Sequence, residues 1–145
     1  MKIVFLCVAN SARSQMAEGL ARALALPEVE ILSAGSQPSD VNPFAILALK
    51  EWGIDISQHS SKSTAEVDFS DADFVITLCA DEVCPLYIGR AAKLHWPFED
   101  PAGVGHSDEE KLNTFRRIRD QIHSQLSHWL TEQGILRAEV KLERV

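Results

Sequence analysis

The apolar positions of the chain change period several times, and each change marks an element. Ile3, Val4, Phe5, Leu6 and Cys7 are consecutive and apolar, the pattern of a short strand buried on both faces. SQMAEGLARALAL follows, with Met16, Leu20 and Leu24 at helical spacing, and Pro27 closes that helix. VEIL predicts a second strand leading into Ser33-Ala34-Gly35. Asn42-Pro43 opens a second helix with proline in its first turn, Ile46, Leu47, Leu49 and Trp52 form its apolar face, and Gly53 ends it. IDISQHSSKS reads as a polar connection, followed by a short helix near Ala65. Turn residues from Ser70 to Asp73 precede a third strand, Phe74 to Leu78, which runs into Cys79; Lys93 to Trp96 predict a fourth. Ser107 and Glu110 stand at capping-box spacing, and Leu112, Phe115, Ile118, Ile122, Leu126 and Trp129 mark one long helical stripe with Gly134 as its stop. Strands alternating with helices predict an α/β fold: a three-layer domain with a four-stranded parallel sheet and helices on both faces.

A single domain, residues 1–134, with a charged tail at 135–145, suits a chain of 145 residues, which can build a core without disulfides or metal. The formal net charge of -7 argues against nonspecific nucleic-acid binding and against an anionic membrane surface. Any anion site must therefore be made locally. Lys2 and IVFLCVA resemble the start of a signal peptide, but the run is short and no other apolar stretch supports export, so the expected location is cytoplasmic. Thiols stay reduced there, and three cysteines then suggest redox or nucleophilic chemistry. The five histidines show no ligand spacing, so no metal is expected, and the chain reads as a monomer.

The most informative stretch is CVANSARS, Cys7 to Ser14. A cysteine at a strand end, the loop Val8-Ala9-Asn10-Ser11-Ala12, Arg13 and a helix start together describe an oxyanion pocket. The N–H groups of a first helical turn have no intrahelical partner, and the helix dipole adds positive charge beside them. Arg13 offers a planar fork to two oxygens of a tetrahedral anion. Both effects favour a nucleophilic Cys7 thiolate, to which Ser14 can donate its hydroxyl. A cysteine in a core strand is more often only a small hydrophobe; the arginine six residues on at a strand-to-helix turn reverses that reading.

LCADEVCP places Cys79 and Cys84 five positions apart at the end of the third strand. From the residues alone they are one buried and one incidental cysteine, half of a zinc site, or a redox pair. Residues i and i+5 on an intact helix lie about 7.5 Å apart along the axis, beyond the roughly 4.4–6.8 Å between disulfide Cα atoms. A redox pair here therefore requires a mobile segment from Cys79 to about Gly89, which Pro85 helps to break.

CVANSARSQMAEG resembles the signature loop of the low-molecular-weight tyrosine phosphatase fold, and most of all the arsenate reductases that share it. LSAG, NPFAILALKEWGIDIS, FVITLC and HWPFEDPAG carry the similarity to about Gly134. The resemblance implies a low-molecular-weight phosphatase-like fold and an arsenate reductase. In that reading Cys7 attacks arsenate, Cys79 then attacks Cys7 and releases arsenite, and Cys84 moves the disulfide to Cys79–Cys84. No bound cofactor is implied. The external reductant is thioredoxin, or glutathione with glutaredoxin, or another low-molecular-weight thiol, because these two cysteines stand closer together than in the familiar thioredoxin-linked pattern. Phosphate and sulfate would compete with arsenate.

The resemblance also makes Asp100 the proton donor, where spacing alone reads as an aspartate in a turn before proline. It makes Asn10, Glu18 and Ser33 supports of the loop. Lys62 stands where some relatives place an aspartate that helps bind potassium; its ammonium can replace the cation and pair with Glu18, or be an ordinary surface lysine. The alternative function is a low-molecular-weight protein-tyrosine phosphatase acting through phospho-Cys7. It would leave Cys79 and Cys84 without a use, and the pocket lacks the aromatic neighbours usual in such phosphatases. A silent anion-binding module is the third reading, disfavoured by the intact Cys7, Arg13 and Asp100.

Overall fold

A computed structural model describes residues 1–80 and 89–137. Four strands and three helices follow one another as β1 (Lys2–Cys7), α1 (Arg13–Leu24), β2 (Glu30–Gly35), α2 (Pro43–Lys50), β3 (Phe74–Thr77), β4 (Ala92–His95) and α3 (Asp108–Glu132). All strand pairs are parallel, in the order β2-β1-β3-β4. The chain thus leaves β1 to one side for β2 and returns to its other side for β3. In open parallel sheets the crevice beyond the carboxyl ends of the strands at such a reversal is where ligands bind. Cys7 is the last residue of the central strand at that point.

Alternation along the strands divides the interior into two clusters. Ile3, Phe5, Ile31, Ile76 and Leu78 face α1, α2 and α3, and pack with Met16, Leu20, Leu49, Phe115, Ile118 and Ile122. Val4, Leu6, Ala34 and Val75 face the other way, against Ala72, Ala91, Val67 and Phe69. Among the described residues all three helices lie on the first face, and irregular chain covers the second. Helices on both faces were expected from the alternation of elements. The connection before β3 is instead irregular chain with short turns, tied down by the buried Lys2, whose Nζ donates to the Asp68 carbonyl (2.7 Å) and to Asp71 Oδ1 (2.8 Å).

The sequence pattern misplaces several boundaries. The second strand continues through Ser33, Ala34 and Gly35, where the backbone pairs with Phe5, Leu6 and Cys7. β4 begins one residue earlier than expected and ends at His95. No helix forms near Ala65. Ser63 instead bridges to Gly35, and Thr64–Glu66 make a single turn held by Ser63 Oγ accepting from the Ala65 N–H (3.2 Å). The pull of the sheet edge on Ser63 outweighs a helix nucleus too short to be stable alone. The long helix starts as read, with Ser107 Oγ accepting from the Glu110 N–H (3.1 Å). Past Gly134, Ile135 to Arg137 lie against the end of α1, with Ala25 bridged to Leu136. The segment expected to be mobile is centred on Cys84, and residues 81–88 lie outside the described residues.

An ionic clamp joins α2 to α3. Glu51, at the end of α2, accepts from Arg116 Nε (2.9 Å) and Arg119 Nη1 (2.9 Å). The buried Arg119 also donates to the Ala48 carbonyl (2.8 Å) and lies 4.0 Å over the Trp52 ring. The hydrogen bond from Arg116 does most to hold the Glu51 carboxyl at about 2, against the opposing effect of burial. Removing the charge leaves the buried Arg119 with only the exposed Asp120 carboxylate, 2.9 Å from its Nη2, and takes the carboxylate from Arg116. Glu51→Gln should therefore cost roughly 2 kcal/mol in urea unfolding near neutral pH. Because the folded value lies below the ordinary 4.5, this contribution is full above that pH and is lost as pH falls toward 2. Native and variant curves should converge across that window; a constant difference would show that the clamp acts through packing alone.

Candidate active site

Cys7 is 4 % exposed at the carboxyl end of β1 and keeps its thiol. The chain then turns sharply at Asn10, whose φ of 48° lies in the left-handed region. Asparagine tolerates that region better than most residues, and here its side chain is fully engaged. Asn10 Nδ2 donates to Ser14 Oγ (2.8 Å) and Ser33 Oγ (2.9 Å), while Oδ1 accepts from the Lys62 N–H (2.8 Å) and Gln15 Nε2 (3.0 Å). One buried amide thus joins the loop to α1, β2 and the 60–62 segment. Gly35 lets the loop lie so close to the sheet. A Cβ there would overlap the Val8 carbonyl oxygen and come within 2.8 Å of the Asn10 nitrogen.

α1 opens at Arg13, one residue earlier than the sequence pattern suggested, and Ala12 supplies no side-chain cap. An anion is the natural occupant at such an end, where amides and dipole both favour negative charge. The Arg13 side chain is 3 % exposed and spans the site. Its Nη1 donates to the Phe98 carbonyl (2.9 Å) and lies 3.5 Å from that of Leu78, so the end of β3 and the Asp100 loop are both anchored on it. Nη2 is 3.7 Å from Asp100 Oδ2. Asp100 is half exposed, and its Oδ1 accepts from the Ala102 N–H (3.0 Å) in a tight turn. Between these groups opens a pocket of about 410 Å³ lined by Cys7, Val8, Ala9, Ser11, Ala12, Arg13, Ser39, Asp100 and Ala102.

Behind the loop, Glu18 gathers the supports. Its Oε1 accepts from Ser33 Oγ (2.6 Å) and lies 3.6 Å from Lys62 Nζ. Its Oε2 accepts from Arg22 Nε (3.2 Å) and lies 3.4 Å from His59 Nδ1. His59 also meets Gln15 Oε1 at 3.1 Å. Both neighbours are acceptors, so Nδ1 carries the proton. Burial lowers the His59 pKa below 6.5, with Glu18 opposing.

Cys7, Arg13 and Asp100 are brought together at the pocket, and Asn10, Glu18, Ser33 and Lys62 behind it. Cys79 stands just past β3, fully buried and disulfide-bonded; Cys84 lies outside the described residues. Sequence reasoning missed Gln15, His59, Ser39 and Ser61. Ser61 Oγ donates to the Ala9 carbonyl (2.8 Å) and accepts from the Ser39 N–H (3.0 Å), which holds Ser39 at the pocket mouth. Two of these missed residues sit in the polar IDISQHSSKS stretch, and only the fold distinguishes them from solvated loop.

The model of the family described as low molecular weight phosphotyrosine protein phosphatase matches residues 2–143. An arsenate reductase of Halalkalibacterium halodurans is 46% identical over 122 residues, 83% of this chain and 88% of that protein. The chain belongs to the low-molecular-weight phosphotyrosine protein phosphatase family and groups with its arsenate reductases. Among solved structures, an arsenate reductase in the phosphate-binding state is 33% identical with a TM-score of 0.72, covering 90% of this chain and 97% of that one. A thioredoxin-dependent arsenate reductase of Corynebacterium glutamicum is 28% identical with a TM-score of 0.71, over 92% of this chain and 61% of that one. No helix among the described residues is long and apolar enough to cross a membrane.

The close approach at Gly35 gives a direct test of the loop in this family member. Gly35→Ala should leave the fold intact but displace Val8 and Asn10, weakening phosphate binding at least about tenfold, about 1.4 kcal/mol. Calorimetric titration with phosphate checks this; native affinity would mean that the loop geometry does not set oxyanion binding.

Proposed function

We propose that this chain reduces arsenate to arsenite by a three-cysteine relay. The observation that carries the reading is the state of the cysteines: Cys7 holds its thiol at the pocket floor while Cys79, past the end of the neighbouring strand, is in a disulfide. A hydrolase acting through Cys7 and Asp100 has no use for that bond. The pocket walls are Val8, Ala9, Ala12, Ser39 and Ala102, which suit a bare oxyanion and provide no aromatic surface for a phenyl ring.

In this reading the Cys7 thiolate attacks arsenate, held by the loop and by Arg13. Asp100 protonates the departing oxygen, a contribution of about two to four orders of magnitude. Ser14, held by Asn10, orients the start of α1 beside the thiolate. Cys79 then attacks Cys7, the sulfur–arsenic bonding pair leaves with arsenic as arsenite, and a Cys7–Cys79 disulfide forms. Leu6 pairs with Thr77, and the Leu78 N–H donates to the Leu6 carbonyl (3.0 Å). Cys79 therefore lies one strand across and about one residue beyond Cys7. At strand spacings of about 4.8 and 3.3 Å this is roughly 6 Å between Cα atoms, inside the disulfide range. Alternation directs the two side chains to opposite faces, so the chain after Leu78 must turn Cys79 toward the pocket. Cys84 next attacks Cys79 and releases Cys7 for another cycle.

A disulfide between two protein cysteines is best reduced by a dithiol, and thioredoxin is the proposed donor ahead of glutathione with glutaredoxin. Lys62 takes the place of a bound potassium ion beside Glu18, so added potassium should leave kcat/KM for arsenate unchanged.

A donor-free single turnover tests the relay. Reduced protein mixed anaerobically with arsenate should lose two thiols per chain and show a Cys79–Cys84 bridge by peptide mapping. Cys7→Ser should lose none, and Cys84→Ser should stop at Cys7–Cys79. Asp100→Asn should slow the first oxidation by two to four orders of magnitude. Retention of all three thiols with steady hydrolysis of an aryl phosphate would instead establish the phosphatase reading.

A further inference from the structure

The loop after Cys7 has a second support, which acts on its carbonyls and not through the Asn10 side chain. The chain from Gln37 to Asn42 lies along the loop as a strap. The Gln37 N–H donates to the Val8 carbonyl (2.9 Å), the Ser39 N–H to that of Ala9 (3.1 Å), and the Asn42 N–H to that of Ser11 (2.9 Å). A trans peptide unit is planar, so a carbonyl held toward the strap sends the following N–H the opposite way. The N–H groups of Ala9, Asn10 and Ala12 are turned away from the strap in this manner. Among the described residues none of the three has a backbone acceptor, and Asn10 and Ala12 are buried. Buried N–H groups are costly to leave unpaired, and an anion held by the loop pairs them.

One side chain ties strap and loop together. Ser61 Oγ donates to the Ala9 carbonyl (2.8 Å) and accepts from the Ser39 N–H (3.0 Å). The Ala9 carbonyl therefore receives two donors, and the hydroxyl closes a circuit with the strap. Ser61 is itself fixed by its neighbours. The Gly35 N–H donates to the Lys62 carbonyl (2.8 Å), and the Thr64 N–H donates to the Gly35 carbonyl (3.0 Å). These bonds fasten the segment to the end of β2, so the Ala9–Asn10 peptide is set against the sheet. Ser39 lines the pocket, and Ser61 stands behind it.

We propose that Ser61 is a positioning residue for oxyanion binding. Its hydroxyl holds the Ala9 carbonyl toward the strap and so aims the Asn10 N–H at the anion. The reading rests on oxyanion binding at the Cys7 loop and is independent of the cysteine relay. Ser61 touches no reacting atom and acts through one peptide unit. The carboxamide of Asn10 fixes where the loop turns; Ser61 fixes which way one of its amides points.

Calorimetric titration of the full-length protein with inorganic phosphate tests this. Ser61→Ala should weaken binding about fivefold, roughly the worth of one hydrogen bond. Ser61→Thr keeps the hydroxyl and should recover the native affinity. Ser63→Ala is the control, because that hydroxyl accepts from the Ala65 N–H in the same segment without touching the loop. Its phosphate affinity should stay native. With arsenate as substrate, Ser61→Ala should raise KM in the same proportion and leave kcat near native, the pattern of binding lost equally from ground and transition states. Native phosphate affinity in Ser61→Ala would overturn the proposal. So would an equal loss in Ser61→Thr or in Ser63→Ala, which would make the effect a general loosening of the segment. A native protein that binds no phosphate would overturn the oxyanion reading itself, and the proposal with it.

Discussion

The site depends on one buried amide. Asn10 adopts a left-handed backbone that the loop needs in order to turn back toward Cys7, and its side chain bonds to Ser14, Gln15, Ser33 and the Lys62 backbone. Each such bond has a modest net worth, but leaving a buried partner unsatisfied is expensive. The loop is therefore held by the cost of its alternatives. Among the described residues no buried side-chain polar atom lacks a hydrogen-bond partner. A loop held this firmly can keep its amides aimed at an anion in advance, the arrangement in which electrostatic stabilisation is most effective.

Two layers of charge surround that loop and do different work. In front, Arg13 is spread over the Phe98 and Leu78 carbonyls and Asp100, so the guanidinium that lines the pocket also ties together the Asp100 loop and the end of β3. Behind, Glu18 collects Arg22, His59 and Lys62 around a carboxylate that also accepts from Ser33. The rear cluster is joined to the loop through Ser33 and Asn10, and through His59 and Gln15. A net-negative chain can thus present a locally positive pocket, because the positive charge is assembled from dipoles and one fixed arginine rather than from surface lysines.

The cysteines divide along the same lines. Cys7 sits where the sheet's central strand meets the helix end, and Cys79 past the end of the next strand. Parallel pairing brings their backbones close, and alternation turns their side chains apart. Chemistry between them must therefore be accompanied by movement of the chain beyond Leu78.

The sequence by itself determined the strand-loop-helix around Cys7, the alternation of strands and helices, the cap at Ser107 and the candidate Arg13, whereas Asp100 stood out only through the family resemblance. These are local: period, spacing and turn chemistry are written in neighbouring residues. It misread the segment near Ala65 as helix, because a single capping turn looks the same whether or not a sheet edge captures it. It could not single out Gln15, His59, Ser39 or Ser61, polar residues whose value comes from contacts 22 to 52 positions away. Nor could it pair Thr77 with His95, since strand register is decided by packing across the sheet and not by either strand alone. The tertiary structure decided which polar residues are buried together, and burial is what turns an ordinary serine or histidine into part of a site.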